Sequence, residues 1–171
     1  SLVLLDTGKV VGCGGNAEGE LGDNSTSSRT TLVAMNSSAG YDQNNAIDIT
    51  VKYKNTLVLL NTGKVVGCGS NSSGELGDNS INVRTTLVSV SSGGDYDQTN
   101  AISVASSEDQ SYILLNTGKV VAFGQKNKLG INSNLSSNQL TPTGLYEVNG
   151  YTSDNAISVS SGFYVSAIVL N

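Results

Sequence analysis

Short apolar runs separated by turn-forming residues follow one another along the chain. In its middle third they lie at residues 57–60, 65–68, 86–90 and 101–105. Apolar and small or polar residues alternate in the last two runs, as in strands with one buried face. Residues 57–60 are apolar throughout, which predicts a strand covered on both faces, and residues 61–63 predict a hairpin loop with Gly63 in a left-handed conformation. The connecting segments are rich in Ser, Asn, Gly and Asp, so the pattern predicts an all-β fold.

The same sequence returns twice, each time after 55 residues. Residues 7–14 recur as 62–69 and, modified, as 117–124, and the tyrosines Tyr41, Tyr96 and Tyr151 keep this spacing. We therefore divide the chain into repeat units at 7–61, 62–116 and 117–171, with residues 1–6 as the last strand of a preceding unit. Four antiparallel strands per unit are typical of a propeller blade. We expect β-propeller blades: three four-stranded blades plus one strand.

Three blades are too few to close a ring, because propellers need roughly four to eight. A ring that stopped here would leave residues 2–5 as an exposed strand edge. The chain also begins with Ser1 rather than Met. We therefore expect a partial β-propeller that belongs to a larger ring of about seven blades, completed by further blades of a longer polypeptide or by another subunit.

The composition excludes several classes of function. Nine Lys and Arg against fourteen Asp and Glu give a net charge of −5, and no basic run is present, so we expect no direct nucleic-acid partner. Without His, this stretch cannot build a Ser-His-Asp or Cys-His nucleophile. Two Cys cannot complete a zinc site, and no apolar run is long enough for a spanning helix. The sequence therefore predicts no catalytic residue, no metal site, no cofactor and no membrane span.

Two smaller groups of residues have an alternative interpretation. Cys13 and Cys68 occupy the same place in neighbouring units, but packed sheets lie roughly 10 Å apart, so core thiols are favoured over a disulfide. Asp95 and Asp97 stand at alternate positions, as calcium ligands often do. A closing Glu is missing, which favours turn formation by these side chains.

Two stretches carry a family resemblance. Residues 14–22 and 69–77 look like the G-x-N-x-x-G-Q-L-G signature of the regulator of chromosome condensation repeat family, with Glu in place of Gln. Residues 159–166 and 104–111 match a second pattern of that family in part. The chain departs from the family at its Trp position, which holds Cys13, Cys68 and Phe123, and at its His position, which holds Asn55, Gln110 and Val165.

The resemblance implies a propeller, usually of seven blades, that serves mainly as a protein-binding scaffold. Some members are guanine nucleotide exchange factors for the small GTPase Ran and sit on nucleosomes; others belong to ubiquitin ligases or inhibit bacterial proteins. Exchange activity in the family relies on a wedge inserted into one blade. No unit here exceeds 55 residues, which weighs against that activity for this stretch.

Positions that are identical in every unit are expected to stabilise the blade. An asymmetric partner is expected to contact positions that differ between the units. The units diverge most in two segments, which an up-and-down meander places on one rim. We therefore predict a protein-binding rim formed by Lys52, Tyr53, Lys54, Glu108, Asp109, Phe163, Tyr164, Lys126 and Lys128. Tyr53, Phe163 and Tyr164 are the expected anchors.

The sequence thus predicts a non-catalytic protein-interaction or structural scaffold with a protein partner. The first alternative is a guanine nucleotide exchange factor for a small GTPase, whose required insertion would lie outside residues 1–171. The second is an enzyme whose active residues lie elsewhere in a longer chain.

Overall fold

The structure, a computed structural model, describes residues 1–130, 137–147, 149–162 and 166–171. These residues form thirteen β-strands and one short 3-10 helix. The strands are β1 (Leu2–Leu4), β2 (Val10–Gly14), β3 (Arg29–Ala34), β4 (Ala46–Lys52), β5 (Asn55–Leu60), β6 (Val65–Gly69), β7 (Arg84–Ser89), β8 (Ala101–Ser106), β9 (Gln110–Leu115), β10 (Val120–Gly124), β11 (Gln139–Gly144), β12 (Ala156–Ser161) and β13 (Ser166–Leu170). The 3-10 helix spans Lys126–Lys128. The predicted all-β fold is confirmed.

The described strands form four antiparallel sheets in chain order. Two sheets have four strands, β4-β5-β6-β7 and β8-β9-β10-β11, while β1-β2-β3 precede them and β12-β13 follow. The unit at 62–116 therefore gives β6 and β7 to the second sheet and β8 and β9 to the third. The total of thirteen strands is as predicted, but each sequence unit spans two sheets. A repeat period determines the length of a unit but not the residue at which the unit begins. The first strand of each sheet is therefore known only from the strand pairing.

Three apolar layers separate the four sheets. Leu57 and Leu59 of β5 face the third sheet, where they pack against Ile113, Leu115 and Phe123. The opposite face of β5 meets the first sheet through Val58 and Leu60, which belong to a buried cluster against which Leu2 and Leu4 pack. Strand β5 is thus buried on both faces, as predicted. Burying each of these side chains contributes about 1.5–3 kcal/mol, so neighbouring sheets stabilise one another.

A buried tyrosine closes each of the three connections that lead to a new sheet. The hydroxyl oxygens of Tyr41, Tyr96 and Tyr151 accept hydrogen bonds from the backbone N–H groups of Val10, Val65 and Val120, at 2.8, 2.7 and 2.9 Å. Burial raises the pKa of Tyr96 to about 12. The repeated tyrosine therefore has a structural role, because it satisfies a backbone donor that would otherwise be buried unpaired.

The connections lie at two ends of the sheets. We call upper rim the end that carries the β4–β5 and β8–β9 hairpins and the starts of the long loops that follow β2, β6 and β10. The lower rim carries the β5–β6 and β9–β10 hairpins and the starts of the connections that follow β3, β7 and β11. On the lower rim Gly63 has φ +79°, as predicted, and a Cβ there would meet the backbone oxygen of Thr99 at 2.0 Å.

Cys13 and Cys68 are free thiols. Cys68 is buried between the first two sheets, and burial raises the pKa of its thiol. Cys13 is half-buried, because no sheet among the described residues covers the outer face of the first sheet.

Candidate protein-binding rim

A buried asparagine holds each of the first two long loops of the upper rim. Asn71 Nδ2 donates to Asp78 Oδ1 at 2.9 Å and to the backbone oxygen of Ser80 at 3.1 Å. Asn71 Oδ1 accepts from the N–H of Leu76 at 2.9 Å. The first loop repeats these bonds with Asn16, Asp23, Ser25 and Leu21. The Asn of the signature that the first two units share is therefore a brace inside each of these loops.

An ion pair completes the brace. Arg84, at the start of β7, places Nη2 at 2.7 Å and Nε at 2.9 Å from Asp78 Oδ2. Burial by itself raises the pKa of Asp78, but hydrogen bonds from Ser80, Arg84 and Asn71, together with the Arg84 charge, lower it overall. Asp23 and Arg29 form the same pair in the first loop. Each of these two loops is therefore a fixed frame on the upper rim.

The third long loop begins differently. Four residues separate Gly124 from Leu129, whereas six separate Gly69 from Leu76, and Gln139 stands where Arg84 stands in the second unit. Two bonds hold the 3-10 helix at its start. Tyr112 Oη of the neighbouring hairpin donates to the backbone oxygen of Lys128 at 3.1 Å, and the N–H of Lys126 donates to Asn138 Oδ1 at 3.2 Å.

The first loop packs on the hairpin of the second sheet. Lys54 Nζ lies 3.2 Å from Glu18 Oε1, and Thr56 Oγ1 donates to the backbone oxygen of Glu20 at 2.8 Å. The hydrogen bond and negative charge of Glu18 raise the pKa of Lys54. The two divergent segments of the sequence thus meet on one rim, as the meander predicts.

Tyr53 stands at the tip of that hairpin, between Lys52 and Lys54. It is 59% exposed, and Lys54 Nζ lies 5.5 Å from the centre of its ring. Its φ of +54° is a left-handed conformation that costs a bulky residue roughly 1–2 kcal/mol. Such backbone strain concentrates at binding and switch sites.

The hairpin of the third sheet carries the acidic residues of the predicted rim. Asp109 Oδ2 lies 2.6 Å from Lys128 Nζ, and Glu108 is partly exposed beside it. Asn55 joins this hairpin to β5, because its Nδ2 donates to the backbone oxygens of Ser107 and Glu108 at 3.2 and 3.3 Å.

The structure thus brings the described members of the predicted set together on two adjoining hairpins and the 3-10 helix. Lys52, Tyr53 and Lys54 share one hairpin, Glu108 and Asp109 the next, and Lys126 and Lys128 the helix. Phe163 and Tyr164 lie outside the described residues.

Sequence reasoning did not single out Glu75, which is buried in the second long loop. Its carboxylate accepts from Ser73 N at 2.6 Å and from Ser70 Oγ at 3.2 Å. Burial, followed by the charge of Asp109 as a smaller cause, raises the pKa of Glu75 above its usual value despite these bonds. One feature of the sequence could have identified Glu75: it is an ionisable residue at the position where the family signature has Gln.

The acidic residues of the lower rim cap turns. Asp97 Oδ1 accepts from the N–H and the hydroxyl of Thr99, both at 2.8 Å. Within the ranges that the structure describes, no group of three or more His, Cys, Asp or Glu side chains is placed to hold a metal ion. The same ranges contain no helix of sufficient length and apolarity to cross a membrane.

Three solved structures resemble this chain over 99% of its length. The crystal structure of human WBSCR16 matches with a TM-score of 0.80 and 23% identity, over 42% of that chain. Yeast RCC1 (Prp20) bound to Kap60 matches with a TM-score of 0.76 and 19% identity, over 39% of that chain. Prp20p from Saccharomyces cerevisiae matches with a TM-score of 0.75 and 19% identity, over 40% of that chain. The chain thus spans about two fifths of the length of these proteins.

A family match agrees with this fold. Residues 46–75, which contain β4, β5 and β6, match the regulator of chromosome condensation (RCC1) repeat. No curated protein sequence matches the chain. The chain therefore carries a regulator of chromosome condensation repeat and has the β-propeller fold of the solved structures that it matches.

Proposed function

We propose that this protein is a non-catalytic scaffold of RCC1-type repeats that binds a protein partner through the upper rim. The observation that carries the proposal is Tyr53, an aromatic side chain that is 59% exposed and held at a positive φ at a hairpin tip. Exposed aromatic residues are enriched at the centres of protein interfaces, where they bury large areas at low cost in side-chain entropy.

The surroundings of Tyr53 support the same function. The hairpin is fixed on one side by the Lys54–Glu18 pair and on the other by the hydrogen bonds of Asn55 to the next hairpin. In the neighbouring hairpin, Ser107, Glu108 and Asp109 stand in place of Lys52, Tyr53 and Lys54. A partner would therefore meet a rigid surface whose charge changes from one blade to the next, which favours one orientation of binding.

Further blades, from the same polypeptide or another subunit, would complete the ring. The solved structures that the chain matches are more than twice its length, and one of them is described as bound to Kap60. Protein binding by a completed propeller is therefore a reasonable role for this chain too.

The proposal is tested with Tyr53→Gly. Glycine accepts the positive φ without strain, so a loss of binding cannot be assigned to unfolding. A partner is first isolated by affinity capture from cell extract, and its dissociation constant is then measured with both proteins. The dissociation constant is expected to be about 30-fold higher for the variant, which corresponds to an anchor residue that contributes about 2 kcal/mol.

The matched control is Ile47→Ala, because Ile47 is similarly exposed, at 56%, and lies at the lower-rim end of β4. Unchanged partner binding by Tyr53→Gly would overturn the proposal. A small-GTPase nucleotide-release assay separates the scaffold from the exchange factor: accelerated GDP release would favour the latter.

A further inference from the structure

The segment at the end of β11, in the third unit, differs from the corresponding segments at the ends of β3 and β7. The first two units have small or polar residues at three positions of this segment, whereas the third unit has Gly144, Tyr146 and Glu147. The counterparts are Ala34, Asn36 and Ser37 in the first unit and Ser89, Ser91 and Ser92 in the second. Because an asymmetric partner is expected to contact positions that differ between the units, this part of the lower rim is a second candidate protein-binding site.

These residues line a cleft of about 440 Å³ together with Lys119, Leu145 and Ser153. Gly144 lets the Lys119 side chain lie close to the end of β11, because a Cβ there would lie 2.9 Å from Lys119 Cε. Tyr146 forms an aromatic wall that is 60% exposed. The first two units have neither the glycine nor the aromatic ring at these positions.

The charges of the cleft favour a cation. Lys119 Nζ is already paired with Asp95 Oδ2 at 2.5 Å, across the junction of the second and third sheets. Glu147 Oε1 accepts one hydrogen bond, from the N–H of Ser153 at 2.9 Å, and the Asp95 side chain is 74% exposed. Of the residues that line the cleft, Lys119 carries a positive and Glu147 a negative charge. Because Asp95, outside this lining, balances the charge of Lys119, the Glu147 carboxylate is left to attract a cation.

We propose that this cleft binds the guanidinium group of an arginine side chain on a protein partner. The flat guanidinium would lie against the Tyr146 ring and donate hydrogen bonds to the Glu147 carboxylate, the geometry that distinguishes Arg from Lys. Lys119 takes no part in binding and acts as the partner of Asp95. The site lies on the rim opposite Tyr53, so it does not depend on the proposed upper-rim function.

The experiment is an NMR titration of the protein with N-acetyl-arginine amide, which carries the side-chain charge and no charged backbone group. Saturable shifts of the Tyr146 and Ser153 amides are expected, with a dissociation constant on the order of 1 mM, as suits one side chain. Tyr146→Ser and Glu147→Ser install the residues of the second unit and should fold normally. Each is expected to weaken binding about three- to fivefold, whereas Tyr53→Gly should bind as the unaltered protein does.

Three further probes make the result decisive. N-acetyl-lysine amide should bind more weakly, and N-acetyl-glutamate amide should not bind. Tighter binding of the glutamate probe would overturn the proposal in favour of an anion site at Lys119. Tighter binding of free arginine than of the capped form, no saturable binding of the capped form, or unchanged binding by both serine variants would each refute it.

Discussion

The long loops that follow the equivalent strands β6 and β10 are held by different contacts where they begin. The second loop is braced from within by Asn71, Asp78 and Arg84. The third starts with a 3-10 helix that depends on the adjacent hairpin, through Tyr112 and Asp109. One sheet topology therefore accepts different sets of contacts at equivalent loops.

The second and third long loops also differ in charge at equivalent positions. Lys128 stands before Leu129 and Gly130 as Glu75 stands before Leu76 and Gly77. The Lys128 ammonium pairs with Asp109, whose negative charge contributes to the raised pKa of Glu75. The residue before Leu129 thus has the opposite charge to Glu75, and it pairs with the neighbouring hairpin.

The largest effect is expected from Asn71→Ala. This substitution removes three bonds of the brace and leaves the buried N–H of Leu76 without an acceptor. The free energy of unfolding should fall by about 2–3 kcal/mol, measured by urea denaturation. The control Asn127→Ala alters an exposed Asn of the third loop and should cost under about 0.5 kcal/mol. Equal losses in the two variants would show that the loops are held alike.

A smaller effect is expected from Arg84→Gln, which installs the residue of the third unit. The Arg84 side chain is 35% exposed, so solvent screens the pair with Asp78 and the loss should be about 1 kcal/mol at neutral pH. The lowered pKa of Asp78 gives stability that is present above its unfolded pKa of about 3.9 and is lost as pH falls through the folded pKa. The gap between the variant and the unaltered protein should therefore close below about pH 4.

Urea denaturation at neutral and acidic pH measures this gap. Gln139→Arg is the reciprocal control: Ile131 follows Gly130 where Asp78 follows Gly77, so the new arginine gains no carboxylate at that position. A gap that stays constant on acidification would assign the Arg84 effect to packing.

The smallest effect is expected from Glu75→Gln, and it is a gain. A raised carboxyl pKa means that the ionised form costs free energy in the folded state, above the folded pKa, and that this cost vanishes below the unfolded value of about 4.3. Glutamine can keep the bond from Ser73, so the variant should be more stable by up to about 1 kcal/mol at pH 7 and equal to the unaltered protein near pH 4.

Thermal or urea denaturation across this pH range tests the prediction. Glu20→Gln, at the less buried equivalent position of the first loop, is the control and should change stability less. A Glu75→Gln variant less stable at neutral pH would mean that the ionised carboxylate is required for the bonds from Ser73 and Ser70.

The local features of the fold could be predicted from the chain. Alternating residues predicted the strands, and an apolar run predicted that β5 is buried on both faces. Gly63 predicted the left-handed hairpin position. These predictions succeed because each depends on residues that are close in sequence. The described anchor, Tyr53, was found by comparing the units, but its strained φ was not predictable, because nothing in the pattern around Lys52 and Lys54 specifies the turn geometry.

The roles of several side chains became apparent only in three dimensions. Asn71 and Asp78 are seven residues apart, and Glu18 and Lys54 are thirty-six apart, yet both pairs are bonded. The cleft beside Tyr146 combines a hairpin, a strand exit and the turn that precedes β12. Sequence comparison marks such positions as variable and does not indicate which of them touch.

By itself, the sequence determined the period, the strands and the turns, because hydrophobic alternation and glycine placement act over a few residues. Only the tertiary structure decided how strands group into sheets, which charges pair and where clefts open. These outcomes depend on the stacking of one sheet upon the next, which brings together atoms that are tens of residues apart along the chain.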